Sequence, residues 1–266
     1  MLKASIALVT ALAASLVVAG GAFAAAPEVS TNWSGYFAVA PTGSVATFSD
    51  VTGTWIQPKA TCVSGRTDAA AFWVGLGGSD PASEALEQLG TSVSCDGSSS
   101  TPTYGAWWEI VPAASVPIPL KIRAGDRINS AVLVNGQTVT MSLKNLTRHT
   151  RFSKTMTLTQ QLDVSSAEWI AEAPSNCTPN GRCTPVPLTR FGNVTFTNAA
   201  AIGNTHPGTI TDPTWTPTAI ELISGGTTSR FFGSGDPLGP GIGAVPSDLS
   251  ADGRSFSVSW QANLSP

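Results

Sequence analysis

Two glutamates, four residues apart, stand out in a short segment late in the 266-residue chain. The segment Ser166–Glu172 reads S-A-E-W-I-A-E, a pattern typical of a short β-strand. Successive side chains of a strand point to opposite sides of the sheet, so Glu168 and Glu172 share one face and Trp169 lies on the other. Acidic residues are uncommon in strands, and the ordinary interpretation of such a pair is an exposed sheet face. The alternative is that a carboxylate here takes part in chemistry.

A carboxylate on a sheet face can act as a general base toward water and then as a general acid toward a leaving group. That reaction also needs a donor for the developing oxyanion, which the side-chain amide of a glutamine can supply. Gln88 is one candidate, and four other glutamines remain open from the residues alone: Gln57, Gln137, Gln160 and Gln161. A pair of carboxylates would instead suggest a glycosidase. The backbones of Glu168 and Glu172, however, would lie about 13 Å apart on one strand.

The elements that position these residues read as β-strands throughout. Helical periodicity is nearly absent, and short alternating runs are separated by Gly, Pro, Asn, Asp and Ser. The dipeptides Asn135-Gly136 and Asp252-Gly253 are strong signals for tight turns. Roughly a dozen candidate strands predict an all-β fold, either two packed antiparallel sheets or a closed barrel. No internal repeat is visible, so residues 25–266 are expected to form a single domain.

Several tryptophans share a strand face with small or acidic residues. In the run A-F-W-V-G-L, Trp73 faces the same side as alanine and glycine. In the run Y-G-A-W-W-E-I, Trp107 shares its face with Gly105 and Glu109. An aromatic ring beside glycine and a carboxylate is typical of a groove wall, although an ordinary second core under a loop would give the same pattern.

The first 24 residues have the layout of a secretory signal peptide. Lys3 supplies a positive start, residues 6–18 are apolar with two exceptions, and Ala22-Phe23-Ala24 fits an A-x-A cleavage site. A retained N-terminal anchor is the alternative, but the apolar run is short for a membrane span. We therefore predict an extracellular, secreted protein with no membrane association after cleavage.

The chain has four cysteines, an even number that suits disulfides in an oxidising compartment. Three pairings are possible. We favour Cys62 with Cys95 and Cys177 with Cys183, because the second pair brackets a turn-rich segment. No C-x-x-C spacing occurs, and the two histidines lie far apart, so we expect no metal site, no other cofactor and no Ser-His triad.

Charge is sparse in this chain. The net charge is −3 and 12% of residues are charged, which argues against a nucleic-acid-binding surface. With 17 Asp and Glu residues in all, acidification neutralises few paired carboxylates and leaves a modest positive charge. The composition therefore predicts tolerance of acid.

Six short motifs in unbroken order resemble those of the glutamic peptidases, the eqolisins or peptidase family G1. Ala167–Glu172 resembles their A-E-W-I-x-E, and Phe191–Ala199 resembles their F-G-x-V-x-F-x-N-A. The remaining four motifs are N-W-x-G from Asn32, W-V-G-I (here W-V-G-L) from Trp73, L-x-Q-x-G from Leu86 and Y-x-A-W-x-E from Tyr104. The resemblance extends from Asn32 to the last strand, at Trp260.

This resemblance implies a concanavalin A-like jelly roll, an antiparallel β-sandwich, and a metal-independent, acid-active endopeptidase acting on polypeptides. By position, Gln88 and Glu172 match the catalytic pair, while Trp73, Trp107 and Glu109 match substrate-binding positions of the groove. Glu172 would remove a proton from the attacking water, Gln88 would hold the oxyanion, and Glu172 would then protonate the leaving amine. A base that works in acid is expected to have a low or near-normal pKa.

Two positions depart from the family pattern. Gly105 and Ser92 stand where well-known members have aspartate, which leaves substrate contacts and the pH profile open. Glu168 is assigned to polar support of its strand, on an exposed face. Two other classes remain possible: a secreted carbohydrate-binding or glycosidase-like sandwich, and a peptidase-like binding module without activity. A monomer is expected.

Overall fold

The computed structural model describes residues 26–80, 82–177, 183–223, 242–262 and 264. Every regular element within these ranges is a β-strand. The same ranges contain no helix with the length and apolarity that a membrane crossing requires. The strands are β1 (Glu28–Ser30), β2 (Trp33–Val39), β3 (Phe48–Ile56), β4 (Thr67–Leu76), β5 (Glu87–Asp96), β6 (Thr103–Ile110), β7 (Val116–Ile118), β8 (Arg127–Asn135), β9 (Thr138–Asn145), β10 (Thr150–Thr157), β11 (Ser166–Glu172), β12 (Ser175–Cys177), β13 (Cys183–Pro185), β14 (Asn193–Gly203), β15 (His206–Gly208), β16 (Thr216–Ile223), β17 (Ile242–Pro246) and β18 (Phe256–Ala262).

The strands form a β-sandwich whose two layers are joined at one edge. The first layer has the order β10-β9-β8-β3-β14-β18-β17, and the second has the order β16-β2-β11-β4-β5-β6-β7. Pairing of β16 with β17, at Leu222↔Ala244 and Ile223↔Gly243, makes the hydrogen-bonded path continuous. Strand β1 adds to β16 in parallel, and β15 adds to β14. The predicted all-β antiparallel sandwich is confirmed, and the joined edge leaves fewer strand edges unpaired.

Alternation along the strands builds the core between the layers. Strand β4, for example, buries Phe72, Val74 and Leu76 in this core. Two tryptophans hydrogen-bond from one layer to the other: the Trp169 indole N–H donates to the Thr52 carbonyl at 2.8 Å, and Trp55 on β3 donates to a hydroxyl on β5. These bonds satisfy donors that burial removes from water.

Local features of the chain agree with the sequence where the structure describes them. The β8–β9 hairpin turns at Asn135-Gly136, where Gly136 has a φ of +57°. The Cys62–Cys95 disulfide is present and ties the loop after β3 to the end of β5. Cys177 and Cys183 lie opposite each other in the β12–β13 pair, but their side chains are outside the described residues, as is the predicted signal peptide. That second disulfide stays a prediction.

A buried carboxyl group, that of Glu87, lies beside the half-buried Asp163 where β5 begins. Glu87 has no exposed surface, and burial, followed by the charge of Asp163, raises its pKa to about 8. Burial alone would raise the pKa of Asp163 as well, but hydrogen bonds from Gly78, Ser165 and Ser83 lower it. The folded protein therefore holds a neutral glutamic acid beside an ionised aspartate over a wide pH range.

We predict that protonation of Glu87 stabilises the fold in acid. Because the folded pKa is above the unfolded value of 4.5, its contribution is complete below pH 4.5 and is lost as the pH rises toward about 8. One such group changes the free energy of unfolding by at most about 1.4 kcal/mol per pH unit in that window. Glu87→Gln should therefore flatten the decline of melting temperature between pH 5 and pH 8, whereas Glu84→Gln in the exposed neighbouring loop should not. Parallel curves for wild type and Glu87→Gln would contradict this assignment.

Candidate active site

The strand register brings the two candidate catalytic residues to the outer face of the second layer. Gln88 on β5 lies opposite Glu109 on β6. Glu172, the last residue of β11, lies opposite Trp33 on β2 and Ala71 on β4. All of these side chains point away from the core between the layers, because each is on the opposite parity from the core residues of its strand.

Gln88 and Glu172 line one groove of about 410 Å³ on this face. Of the sequence-predicted residues, the groove also contains Trp107 and Glu109. A small apolar cluster covers the part of the face next to the groove: Trp33, Phe37, Ala71, Trp73, Leu86, Val111, Ile170 and Ile220. The sequence left two interpretations of this face open, a groove and a second core. The structure contains both, side by side.

Glu172 is held by tryptophan. The Trp73 indole N–H donates to Glu172 Oε2 at 2.7 Å, and the Trp33 ring packs edge-on against Trp73 with centroids 4.9 Å apart. Burial, followed by the nearby charge of Glu109, raises the pKa of Glu172 to about 8. Contacts with Trp73, Trp33 and Asn32 lower it by less. The expectation of a low or near-normal pKa is wrong for this geometry, because enclosure of the carboxyl outweighs its hydrogen bonds.

Gln88 is held by Glu109. The Gln88 Nε2 group donates to Glu109 Oε2 at 2.7 Å, and only 5% of Gln88 is exposed. Burial raises the pKa of Glu109 to about 7, with the hydrogen bond from Gln88 opposing it. The amide has a second N–H, and its Oε1 accepts no hydrogen bond from the described part of the chain. One edge of this amide therefore remains able to bind a ligand in the groove.

Glu168 lies outside the groove. The prediction of an exposed face is wrong for this residue, because none of its surface is accessible. Glu168 and Gln88 both lie opposite Gly75, on either side of it in the sheet. The Leu86 side chain covers this glycine, and a Cβ added to Gly75 would be 3.0 Å from it. The groove lining includes Leu86 and Gln88 but not Glu168. Glu168 therefore lies in the buried part of the face, outside the groove.

Trp73 has a different position from the one expected. It was predicted to bind substrate, yet it is fully buried and reaches the groove only through its hydrogen bond to Glu172. Conversely, Trp33 lines the groove and was not singled out as a site residue, although the N-W-x-G motif contains it. Pro117 and Pro174 also line the groove, and no pattern in the sequence pointed to them.

Within the described ranges, the carboxyl of Glu172 and the amide of Gln88 suit the hydrolysis of an acyl compound. No group of three or more His, Cys, Asp or Glu side chains that could hold a metal ion occurs there. Glu172 can carry a proton between water and a leaving group, and Gln88 can donate to an oxyanion. Both act from rigid strands, which keeps their geometry constant.

Comparisons with known proteins identify the family and the fold of this chain. The model of the Peptidase A4 family matches residues 31–230. The crystal structure of scytalido-glutamic peptidase with a peptide-based transition-state analogue is similar, with 25% identity, a TM-score of 0.66 and coverage of 86% of this chain and 98% of that one. SCP-B, an eqolisin in complex with the tripeptide Ala-Ile-His, has 24% identity, a TM-score of 0.62 and coverage of 86% and 98%. Aspergilloglutamic peptidase from Aspergillus niger has 24% identity, a TM-score of 0.54 and coverage of 73% and 99%. No curated protein sequence matches the chain.

We predict opposite shifts in the titration of Glu172 from two substitutions. Glu109→Gln removes the neighbouring charge and should lower the pKa of Glu172, whereas Trp73→Phe removes a hydrogen bond to the carboxylate and should raise it further. Carboxyl ¹³C chemical shifts followed by NMR over pH 4–10 measure both. Glu84→Gln, remote from the groove, is the control and should leave the titration unchanged. If both variants shifted the pKa of Glu172 in the same direction, greater solvent exposure of the site, and not these two contacts, would control it.

Proposed function

Since this chain belongs to the Peptidase A4 family and is a glutamic endopeptidase, we propose that Gln88 and Glu172 form its catalytic dyad. The observation that carries the proposal is their placement on one groove, each held by a separate 2.7 Å hydrogen bond. Polypeptides are the substrates, and the groove binds them as extended chains. The active enzyme is a monomer.

The proposed mechanism uses water as the nucleophile. Ionised Glu172 removes a proton from water as the oxygen attacks the scissile carbonyl, and the second N–H of Gln88 donates to the developing oxyanion. Glu109 keeps the Gln88 amide oriented by accepting its first N–H. Protonated Glu172 then donates to the leaving amine, which breaks the C–N bond and restores the carboxylate. Trp73 keeps the carboxyl in place without touching the substrate.

Activity on the acid side of neutrality is part of the proposal. The sparse charge of the chain and the buried glutamic acids favour a fold that persists at low pH. The pKa of Glu172, about 8, opposes ionisation of the base in acid. Burial raises this pKa because it removes water from the carboxylate. In the substrate complex the nucleophilic water donates a hydrogen bond to the carboxylate, which favours the ionised form and lowers the pKa of Glu172.

We predict that Glu172→Gln and Gln88→Ala abolish most cleavage of a denatured protein substrate, assayed with pepstatin present. Loss of the base should lower kcat about 10²–10⁴-fold, and loss of the oxyanion donor about 10²–10³-fold. Glu84→Gln and Gln161→Ala, both exposed and away from the groove, are the matched controls and should retain activity. Equal cleavage by all these proteins would refute the dyad, and no cleavage by any would favour a binding module.

The pH profiles of the same enzyme test the acid proposal. The profile of kcat/KM reports the free enzyme and that of kcat reports the substrate complex. The ascending limb assigned to Glu172 should therefore lie at lower pH in kcat than in kcat/KM. If the ascending limbs of both profiles lay near pH 8, substrate and water would leave the pKa of Glu172 unchanged. Activity in acid would then be excluded.

Secretion is proposed from the leader-like start of the chain, which lies outside the described residues. The Cys62–Cys95 disulfide supports an oxidising compartment. We predict that the protein recovered from the culture medium of a secreting host begins after Ala24, as read by N-terminal sequencing. Retention in the membrane fraction with an intact N-terminus would support the anchor instead.

A further inference from the structure

The groove has a floor of small, uncharged residues on the Glu172 side. Ala71, Ser92 and Gly105 lie side by side on β4, β5 and β6, in the row of the sheet that also contains Glu172. Ala69 and Ser94 continue the floor by one row. None of these side chains reaches far above the sheet, so the floor is a depression. We call it the small-floored pocket.

Gly105 keeps this pocket open although the backbone does not require glycine there. Its φ is outside the left-handed range, and an added Cβ would meet only Ser92 Oγ, at an ordinary 3.4 Å. Gly90, one row away, is different, because a Cβ there would collide with the Phe72 carbonyl and with Trp73. Packing of the sheet therefore demands Gly90, whereas Gly105 leaves space in the groove.

The walls of the pocket are apolar. Trp107 is half-buried and lies opposite the exposed Pro117 on β7, and Trp33 and Pro174 line the other side. Large rings beside a small floor suit an apolar side chain inserted between them. One oxygen of each carboxyl in the groove accepts a hydrogen bond, from Trp73 for Glu172 and from Gln88 for Glu109.

A second observation indicates a polar ligand next to the pocket. Gln88 is 5% exposed and lines the groove, yet its Oε1 accepts no hydrogen bond within the described ranges. A buried polar atom without a partner is costly unless a ligand or water satisfies it. A peptide offers both parts of such a ligand, since backbone N–H groups can reach Gln88 while a side chain enters the pocket.

We propose that the small-floored pocket binds one bulky, uncharged side chain of the polypeptide substrate, aromatic or branched aliphatic, close to the scissile bond. This inference rests on the proposed function and defines its substrate class. Gly105 is the specificity-determining residue, because a side chain there would fill the space that the substrate side chain occupies. Discrimination of about 10–200-fold is what hydrophobic pockets of this kind achieve.

The test compares wild type with Gly105→Ala, Gly105→Val and Gly105→Asp on peptides that carry Phe, Leu, Ala or Lys at each position around the cleaved bond. Wild type should prefer Phe or Leu over Ala at one position by about tenfold or more in kcat/KM. Gly105→Val should lose that preference, because kcat/KM for the Phe and Leu peptides should fall toward the value for the Ala peptide, and Gly105→Ala should fall between. Gly105→Asp should increase cleavage of the Lys peptide relative to the Phe peptide. Ser153→Val on the exposed strand β10 is the matched control and should behave as wild type.

Peptide-binding measurements test the pocket independently of catalysis. Affinities of the Phe and Ala peptides are measured on Glu172→Gln protein with and without Gly105→Val, by calorimetry. A Phe preference that Gly105→Val removes supports the pocket even if wild type cleaves nothing, a result that would refute only the proposed function. An unchanged preference in Gly105→Val, in cleavage and in binding, would overturn the pocket and leave the dyad intact.

Discussion

The hydrogen bond from the Trp73 indole to the Glu172 carboxyl joins the packing of this protein to its chemistry. It forms because β4 and β11 pair in a register that places both residues on the outer face of the second layer. The core residues of the same strands anchor that register, since a slip by one residue would turn every side chain to the wrong face. The position of the Glu172 carboxyl is therefore a consequence of the whole sandwich.

Enclosure gives this site its electrostatic character. Glu172 and Glu109 both have raised pKa values, about 8 and about 7, mainly because each is buried. Glu87, on the opposite face of β5 from Gln88, is raised for the same reason. Each of these three acids prefers to be neutral in the folded state and therefore contributes stability at low pH. Aspartates with lowered pKa values, such as Asp126 and Asp163, contribute in the opposite direction. The same burial restrains ionisation of Glu172, the proposed catalytic base. Stability in acid and the proposed reaction therefore make opposite demands on this group.

Alternation and turn chemistry made much of the fold predictable. The core face of β4 and the groove positions of Trp107, Glu109 and Glu172 follow from a side-chain period of two, and the Asn135-Gly136 hairpin follows from its turn residues. The Cys62–Cys95 disulfide was favoured among three pairings and is present. Joining of the two layers through β16 and β17 was not foreseeable. These strands follow one another in the chain, but their other neighbours, β2 and β18, belong to different layers, and that depends on the whole sheet.

The sequence by itself determined which residues share a face, because that depends only on the backbone. It did not determine what lies above each face. Only the tertiary structure decided that Glu168 is sealed off beside Leu86, that Trp73 is a buried donor and that Glu172 has a raised pKa. Burial and its effect on charge depend on groups that come from other strands, and no local pattern contains them. For the same reason the sequence shows Gly105 only as a departure from the family pattern, and it becomes the floor of a pocket only in the folded sheet.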